Sequence, residues 1–257
     1  MFVDTHCHLL KSEYDNIEEM LRKIDGNVII VSGDNENTNK EVIDMIKRDN
    51  VYGTIGIHPN EITNFDDALK FIEDNINNPK IVGIGEIGLD YHYGKENMEL
   101  QKECFIKQLE LARKYKKPVT IHSRDAAKDT FDIIKNYKDL KITYHCYQYS
   151  LEMAKELLKM DVKFGIGGVV TFKNSKEIKK VVEFLPLENI LLETDSPYLA
   201  PQIFRGQKND PSNTIYVAQY IALLKNISLE EVLKITTNNA IKQFDLPYTL
   251  WYDFSRI

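Results

Sequence analysis

Cysteine is scarce in this chain, with three residues (Cys7, Cys104 and Cys146) in 257. They are too few and too scattered for a disulfide framework, and they lack the C-x-x-C spacing of a thiolate zinc site. Cys146 directly follows a histidine, but strand alternation would turn it away from that neighbour, so it is expected in the core. Long apolar runs are missing too. No stretch approaches the ~18 residues of a membrane span. The first residues also lack a basic region followed by an apolar one, so the expected address is the cytoplasm, with no membrane partner. Positive charge is not in excess. A formal net charge of −6 excludes a broad cationic surface for coating nucleic acid, but it leaves room for a small pocket gripping an end or a few phosphates.

What is present follows a regular order. Hydrophobic residues make up 43% of the chain, enough for a sizeable core. The length fits a single domain over 1–257, because α/β barrels reach this size as one unit. Short β-rich runs alternate with longer amphipathic stretches. Strands are expected over 1–8, 27–31, 51–57, 80–86, 118–122, 141–145, 162–166 and 190–194. Helices are expected near 15–23, 38–48, 66–76, 98–115, 126–137, 151–160, 176–184, 214–224 and 229–243. Eight strands, each followed by helical sequence, imply parallel pairing with right-handed crossovers. The expected fold is an α/β (β/α)8 TIM barrel with an extra C-terminal helix.

One glycine pattern misleads. Gly83-Ile84-Gly85-Glu86-Ile87-Gly88 matches a dinucleotide fingerprint, but the chain continues Leu89-Asp90-Tyr91-His92-Tyr93-Gly94, which reads as a loop. A dinucleotide site needs a helix opening directly after the glycines to hold the pyrophosphate. No nucleotide cofactor is expected, and Gly83 and Gly85 are expected to face the outer helices.

Polar residues collect at the C-terminal ends of the expected strands. His6 and His8, spaced i, i+2, share one face of the first. His58 follows the third, Glu86 ends the fourth, His122 the fifth and His145 the sixth, and Asp195 follows the eighth. In a barrel these ends meet at one rim, where active sites of this fold are built. A lone core histidine is usually inert, but packing does not ask for five histidines and two carboxylates at the same end of separate strands. Mixed imidazole and carboxylate donors suit divalent zinc, manganese, magnesium, cobalt or iron. Six ligands are too many for one ion with room for substrate. They divide if Glu86 bridges, with His6, His8 and Asp195 on one ion and His122 and His145 on the other. Such a pair activates a shared water, and Asp195 is placed to take its proton.

Longer blocks surround these residues. Val3-Asp4-Thr5-His6-Cys7-His8-Leu9, Gly56-Ile57-His58-Pro59, Gly85-Glu86-Ile87-Gly88-Leu89-Asp90-Tyr91, Pro118-Val119-Thr120-Ile121-His122-Ser123-Arg124-Asp125-Ala126 and Leu192-Glu193-Thr194-Asp195-Ser196-Pro197-Tyr198-Leu199-Ala200-Pro201 resemble the signature blocks of the TatD family of metal-dependent deoxyribonucleases. The resemblance extends to Thr236-Thr237-Asn238-Asn239-Ala240. It implies an amidohydrolase-like barrel that hydrolyses DNA phosphodiesters, often from a 3′ end on single strands, with the ligand set above. It also implies that His58 and Arg124 contact the substrate phosphate, the guanidinium fork suiting that role. Glu193 shares a face with Asp195 and is expected to hold a metal ligand in orientation at the catalytic centre. Lys173 and Arg205 resemble family stretches near substrate, and Tyr198 is placed to stack on a base.

Two departures bear on substrate. Where the family has a small Ser-Gly-Ser turn, this chain runs Tyr147-Gln148-Tyr149-Ser150, and after Arg205-Gly206-Gln207-Lys208-Asn209-Asp210-Pro211 it continues Ser212-Asn213. The leading expectation is a 3′–5′ exonuclease on single-stranded DNA ends, acting as a monomer. A second keeps the two-metal chemistry on another ester, such as a D-aminoacyl-tRNA or a small phosphoester. A third is a metal-stabilised barrel that serves as a non-enzymatic partner.

Overall fold

The protein is represented by a computed structural model, which describes residues 1–62, 65–94 and 96–248. Eight parallel strands form one sheet in sequence order: β1 (Val3–Cys7), β2 (Val28–Ser32), β3 (Val51–Ile55), β4 (Ile81–Asp90), β5 (Val119–Arg124), β6 (Ile142–Tyr144), β7 (Lys163–Ile166) and β8 (Ile190–Leu192). The intervening helices are α1 (Ile17–Lys23), α2 (Glu36–Met45), α3 (Asp66–Asn75), α4 (Met98–Tyr115), α5 (Ala127–Ile134), α6 (Leu151–Leu158) and α7 (Lys176–Phe184). Two more, α8 (Thr214–Lys225) and α9 (Leu229–Gln243), follow β8. The sheet curls into a nearly closed (β/α)8 TIM barrel. No helix among the described residues is long and apolar enough to cross a membrane.

Closure at the β8–β1 seam relies on a side chain. Among the described residues these two strands share no ladder. Instead the buried Asp4 accepts hydrogen bonds from the Thr194 backbone nitrogen (3.0 Å), the Thr194 hydroxyl (2.6 Å) and the His6 nitrogen (3.2 Å). Thr5 Oγ1 donates to the Leu192 carbonyl (3.0 Å), and the nitrogens of Asp195 and His8 donate to the carbonyls of His6 and Ser196. The backbones on either side of the seam, which carry His6, His8 and Asp195, are thus tied together.

At the opposite mouth an apolar floor forms. Val28, Ile30, Tyr52, Val82 and Leu191 cluster with Ala240, Ile241, Phe244 and Leu246 from α9 and the residues after it. Gln243 Nε2 donates to Thr143 Oγ1, and Asn239 Nδ2 donates to the carbonyls of Leu187 and Ile190. The extra C-terminal helix therefore plugs the bottom of the barrel.

Three local expectations are corrected. β4 runs on through Leu89 and Asp90, which the glycine-rich sequence disguised as a loop; Gly88, with φ +143°, lies so close to the His122 carbonyl that a Cβ there would collide with it. Gly83 and Gly85 do not face the outer helices. A Cβ at Gly83 would meet the Pro118 carbonyl (3.0 Å) and the Thr54 methyl (3.2 Å), and one at Gly85 would meet Thr120 at 2.7 Å. These glycines let strand approach strand. Cys146 is not in the core, because β6 ends at Tyr144 and alternation stops there. Its φ of +44° turns it to a half-buried position lining a cavity beside His145.

Candidate metal centre

Each donor is delivered by a strand end. β1 sends His6 and His8 inward on one face, as period-two geometry requires. A register shift in β4 between Ile84 and Ile87 brings Glu86 into the mouth. His122 sits within β5, His145 one residue past β6, and Asp195 three residues past β8, where a left-handed φ of +54° turns the chain. Aspartate tolerates that conformation better than most residues.

Glu86, buried at the centre, divides its two oxygens between two groups of imidazoles. Its Oε2 lies 3.3 Å from His6 Nε2 and 3.7 Å from His8 Nε2. Its Oε1 lies 2.7 Å from His122 Nδ1 and 3.4 Å from His145 Nε2. Asp195 Oδ1 lies 3.7 Å from His6 Nε2 and 3.6 Å from His8 Nε2, on the same side as Glu86 Oε2. Donor atoms of His6, His8 and Glu86 converge, as do those of Glu86, His122 and His145, and those of His6, His145 and Asp195. The His6 and His8 Nε2 atoms themselves approach to 3.2 Å.

The far nitrogen of each imidazole also has a neighbour. His6 Nδ1 meets Ser32 Oγ at 3.0 Å, which in turn bonds Thr54 Oγ1, while His8 Nδ1 meets the Ser32 carbonyl at 3.1 Å. His122 Nε2 meets Asp90 Oδ2 at 3.2 Å, and His145 Nδ1 lies 3.3 Å from Glu193 Oε1. Glu193 is fully buried, and its Oε1 also accepts from the Cys146 nitrogen (2.6 Å).

The electrostatics fit a cation. Burial opposes charge on His8 and His145, yet the surrounding carboxylates outweigh it and hold both pKa values up at about 10. His122, buried but bonded to Asp90 and Glu86, rises to about 9. Burial lowers His6, and it lowers His58 to about 4. Glu86 and Asp195, despite burial, are held below the usual carboxylate range by the imidazoles. Asp34 moves the other way, burial raising it to about 6. A ring of carboxylates kept ionised in a buried cluster demands compensating positive charge. In the bare chain protons on imidazoles supply it, and divalent ions are the alternative. Asp34 Oδ1, His145 Nδ1 and Glu193 Oε2 are buried without hydrogen-bond partners, as expected around a site completed by a cation.

Two adjoining cavities of about 390 and 480 Å³ open over this cluster. His58 lines the first, its Nε2 3.7 Å from Glu86 Oε1. Arg124 and Tyr198 line both, and among the residues lining them Arg124 is the sole Arg or Lys. The Arg124 guanidinium lies 5.5 Å from the centre of the Tyr93 ring. Tyr198 is 54% exposed at the rim, its ring 6.1 Å from that of His8. Lys173 and Arg205 line neither cavity. Arg205 packs over Phe172 (4.3 Å), and the Lys173 nitrogen bonds Gln202. Tyr149 walls the second cavity, its hydroxyl meeting Ser123 Oγ (3.1 Å) and the Ala126 nitrogen (3.2 Å).

Sequence reasoning missed three residues that hold this mouth together. Asp90 is one. The other two are Gln101 and Gln108, buried two turns apart on α4. Gln108 bonds both the nitrogen (2.8 Å) and carbonyl (3.1 Å) of Ile57, next to His58, and Gln101 does the same for Asp90 (2.9 Å each). Their signal was available, as amides seven residues apart on the apolar face of one helix.

Comparison with known proteins gives a consistent result. The family model described as TatD related DNase matches residues 3–245. The chain is 40% identical to YabD of Bacillus subtilis, described as an uncharacterized metal-dependent hydrolase, over 95% of this chain and 99% of that one. It is 33% identical to YcfH of Escherichia coli K12, described in the same words, over 95% and 96%. The crystal structure of YjjV, a TatD homologue from Escherichia coli K12, superposes with a TM-score of 0.88 at 27% identity, covering 96% of this chain and 98% of that one.

Proposed function

The chain belongs to the family of TatD-related DNases, a family of metal-dependent hydrolases, and from that premise we propose that it hydrolyses phosphodiester bonds at single-stranded DNA ends. One observation carries the reading: Glu86 turns one oxygen to His6 and His8 and the other to His122 and His145. On this reading His6, His8 and Asp195 would hold one divalent ion, His122 and His145 a second, and Glu86 both.

Bound there, two such ions would supply Lewis acidity and a water of lowered pKa. The chain's own residues do the rest. Arg124 offers a planar fork of donors to the phosphate, and His58, kept neutral by burial, offers a hydrogen bond beside it. Asp195, held ionised, accepts a proton from the attacking water. Exposed Tyr93 and Tyr198 flank the mouth with faces on which unstacked bases can rest. The single Arg and absence of Lys among the cavity-lining residues favour grip on a few phosphates over a long duplex.

A second reading, another ester as substrate, is favoured by Tyr149, which occupies the place of a small turn. The test is incubation of the purified protein, with manganese or magnesium, against labelled single-stranded DNA, duplex DNA, charged tRNA and small phosphoesters. Shortening of single strands by the parent and not by Asp195→Asn supports the proposal; intact DNA with every divalent ion tried, alongside turnover of an ester, transfers the function to the second reading.

A further inference from the structure

Asp90 has no part in the ligand set above, yet it is a nearly fully buried carboxylate at the end of β4. Burying an ionised group is costly unless its oxygens are engaged. Here they are. Oδ1 accepts from the His92 nitrogen (2.9 Å), and Oδ2 accepts from Asn60 Nδ2 (3.0 Å) and meets His122 Nε2 at 3.2 Å. Its backbone is clamped in both directions by Gln101. The carboxylate is therefore fixed before anything binds.

Once it has given up its second proton to an incoming ion, an imidazole that still donates from Nε2 to a fixed carboxylate presents the lone pair of Nδ1 on its other side. For His122 that other side faces Glu86 Oε1, 2.7 Å away, and His145 beyond it. His145 has Glu193 3.3 Å behind it, whereas His6 and His8 meet the neutral hydroxyl and carbonyl of Ser32, with the Asp34 carboxylate further from His8 Nδ1 at 3.6 Å. The mouth thus has two kinds of imidazole, one pair with a carboxylate as the nearest group behind it and one pair hydrogen-bonded to the neutral dipoles of Ser32.

We propose that Asp90 is a positioning residue for His122, and that His122 and His145, backed by Asp90 and Glu193, form a metal subsite separable from His6 and His8, which are held by Ser32. This rests on the metal-centre reading and not on the identity of the substrate. An anionic partner raises imidazole basicity and fixes the ring, and losing one weakens metal binding by ~10–100-fold. The donors of His58, Asp90 and His122 also lie close enough to hold an ion themselves. An ion on the oxygen that faces His122 would have to displace the bonds from Asn60 and His122, so the hydrogen-bonded role is preferred.

The test is titration of metal-free protein with zinc, followed by calorimetry and chelator competition. The parent, Asp90→Asn, His122→Ala, their double variant and Ser32→Ala are compared. Two binding steps are expected for the parent. Asp90→Asn should weaken one of them ~10–100-fold and leave the other in place. In the His122→Ala background, Asp90→Asn should add nothing. Ser32→Ala should weaken the step that Asp90→Asn spares. Unfolding of the metal-free variants in urea controls for loss of fold, and the ¹⁵N shifts of histidine-labelled protein read the His122 tautomer directly. Equal weakening of both steps, further weakening in the double variant, or a stoichiometry that drops from three ions to two in Asp90→Asn would overturn the assignment. A parent that binds no zinc would overturn it together with the metal centre, while inactivity on DNA would leave it standing.

Discussion

Asp4 on the first strand and Thr194 just after the last are joined by two hydrogen bonds to one carboxylate, 3.0 Å from the Thr194 nitrogen and 2.6 Å from its hydroxyl. This pair does for the seam what a ladder does between the other strands. It also ties the backbone before His6 to the backbone before Asp195.

Replacing Asp4 should therefore cost stability out of proportion to its size. Asp4→Ala leaves the Thr194 nitrogen and hydroxyl and the His6 nitrogen without their buried acceptor, at a cost of about 3 kcal/mol. Asp4→Asn, which keeps one acceptor oxygen, should cost less. Urea unfolding of the two variants reads the difference, and an alanine variant as stable as the parent would refute this role.

The cluster should bind metal against protons. In the metal-free chain burial is overcome by carboxylates, and His8 and His145 hold their protons to about 10 and His122 to about 9, from an ordinary 6.5. These folded values are raised, so the stability they contribute is full below pH 6.5 and is lost as pH climbs through 9 and 10. Metal binding has the opposite slope. An ion must displace those protons, so affinity should rise over the same window, with protons released at neutral pH. Calorimetry in buffers of differing ionisation enthalpy counts them, and a count near zero would contradict the reading.

Gln108 should behave as a structural residue with a functional consequence. Gln108→Leu keeps the volume but strands the buried nitrogen and carbonyl of Ile57, costing about 3 kcal/mol. Because His58 is the next residue, KM for the true substrate should rise more than kcat falls. Unchanged stability would show that the amide bonds are dispensable.

Much of this arrangement could be read before any coordinates. The i, i+2 spacing of His6 and His8, and the recurrence of His122, His145 and Asp195 at strand ends, follow from period-two alternation and from the way a barrel gathers its strand ends at one rim. Where alternation fails, reading fails with it. Cys146 lies past the end of β6, so no face could be assigned to it. Asp90 sits behind Gly88 in a stretch whose composition imitates a loop. Gln101 and Gln108 could be read only in part, since their buried amides stand out on the helix face but the backbone groups they bond, at Asp90 and Ile57, appear only once the helix packs on the barrel. Lys173 and Arg205 were chosen by resemblance to family stretches near substrate, and neither lines the cavities, Arg205 packing over Phe172 instead.

The plug at the lower mouth sets how far the chain can be shortened. Val28, Ile30, Tyr52, Val82 and Leu191 share their cluster with residues 240–246 and Tyr248, so removing the chain from α9 onward would bare one end of the barrel to water while leaving every proposed ligand in the sequence. Loss of the far end would then be felt at the mouth only through the strands that join the two.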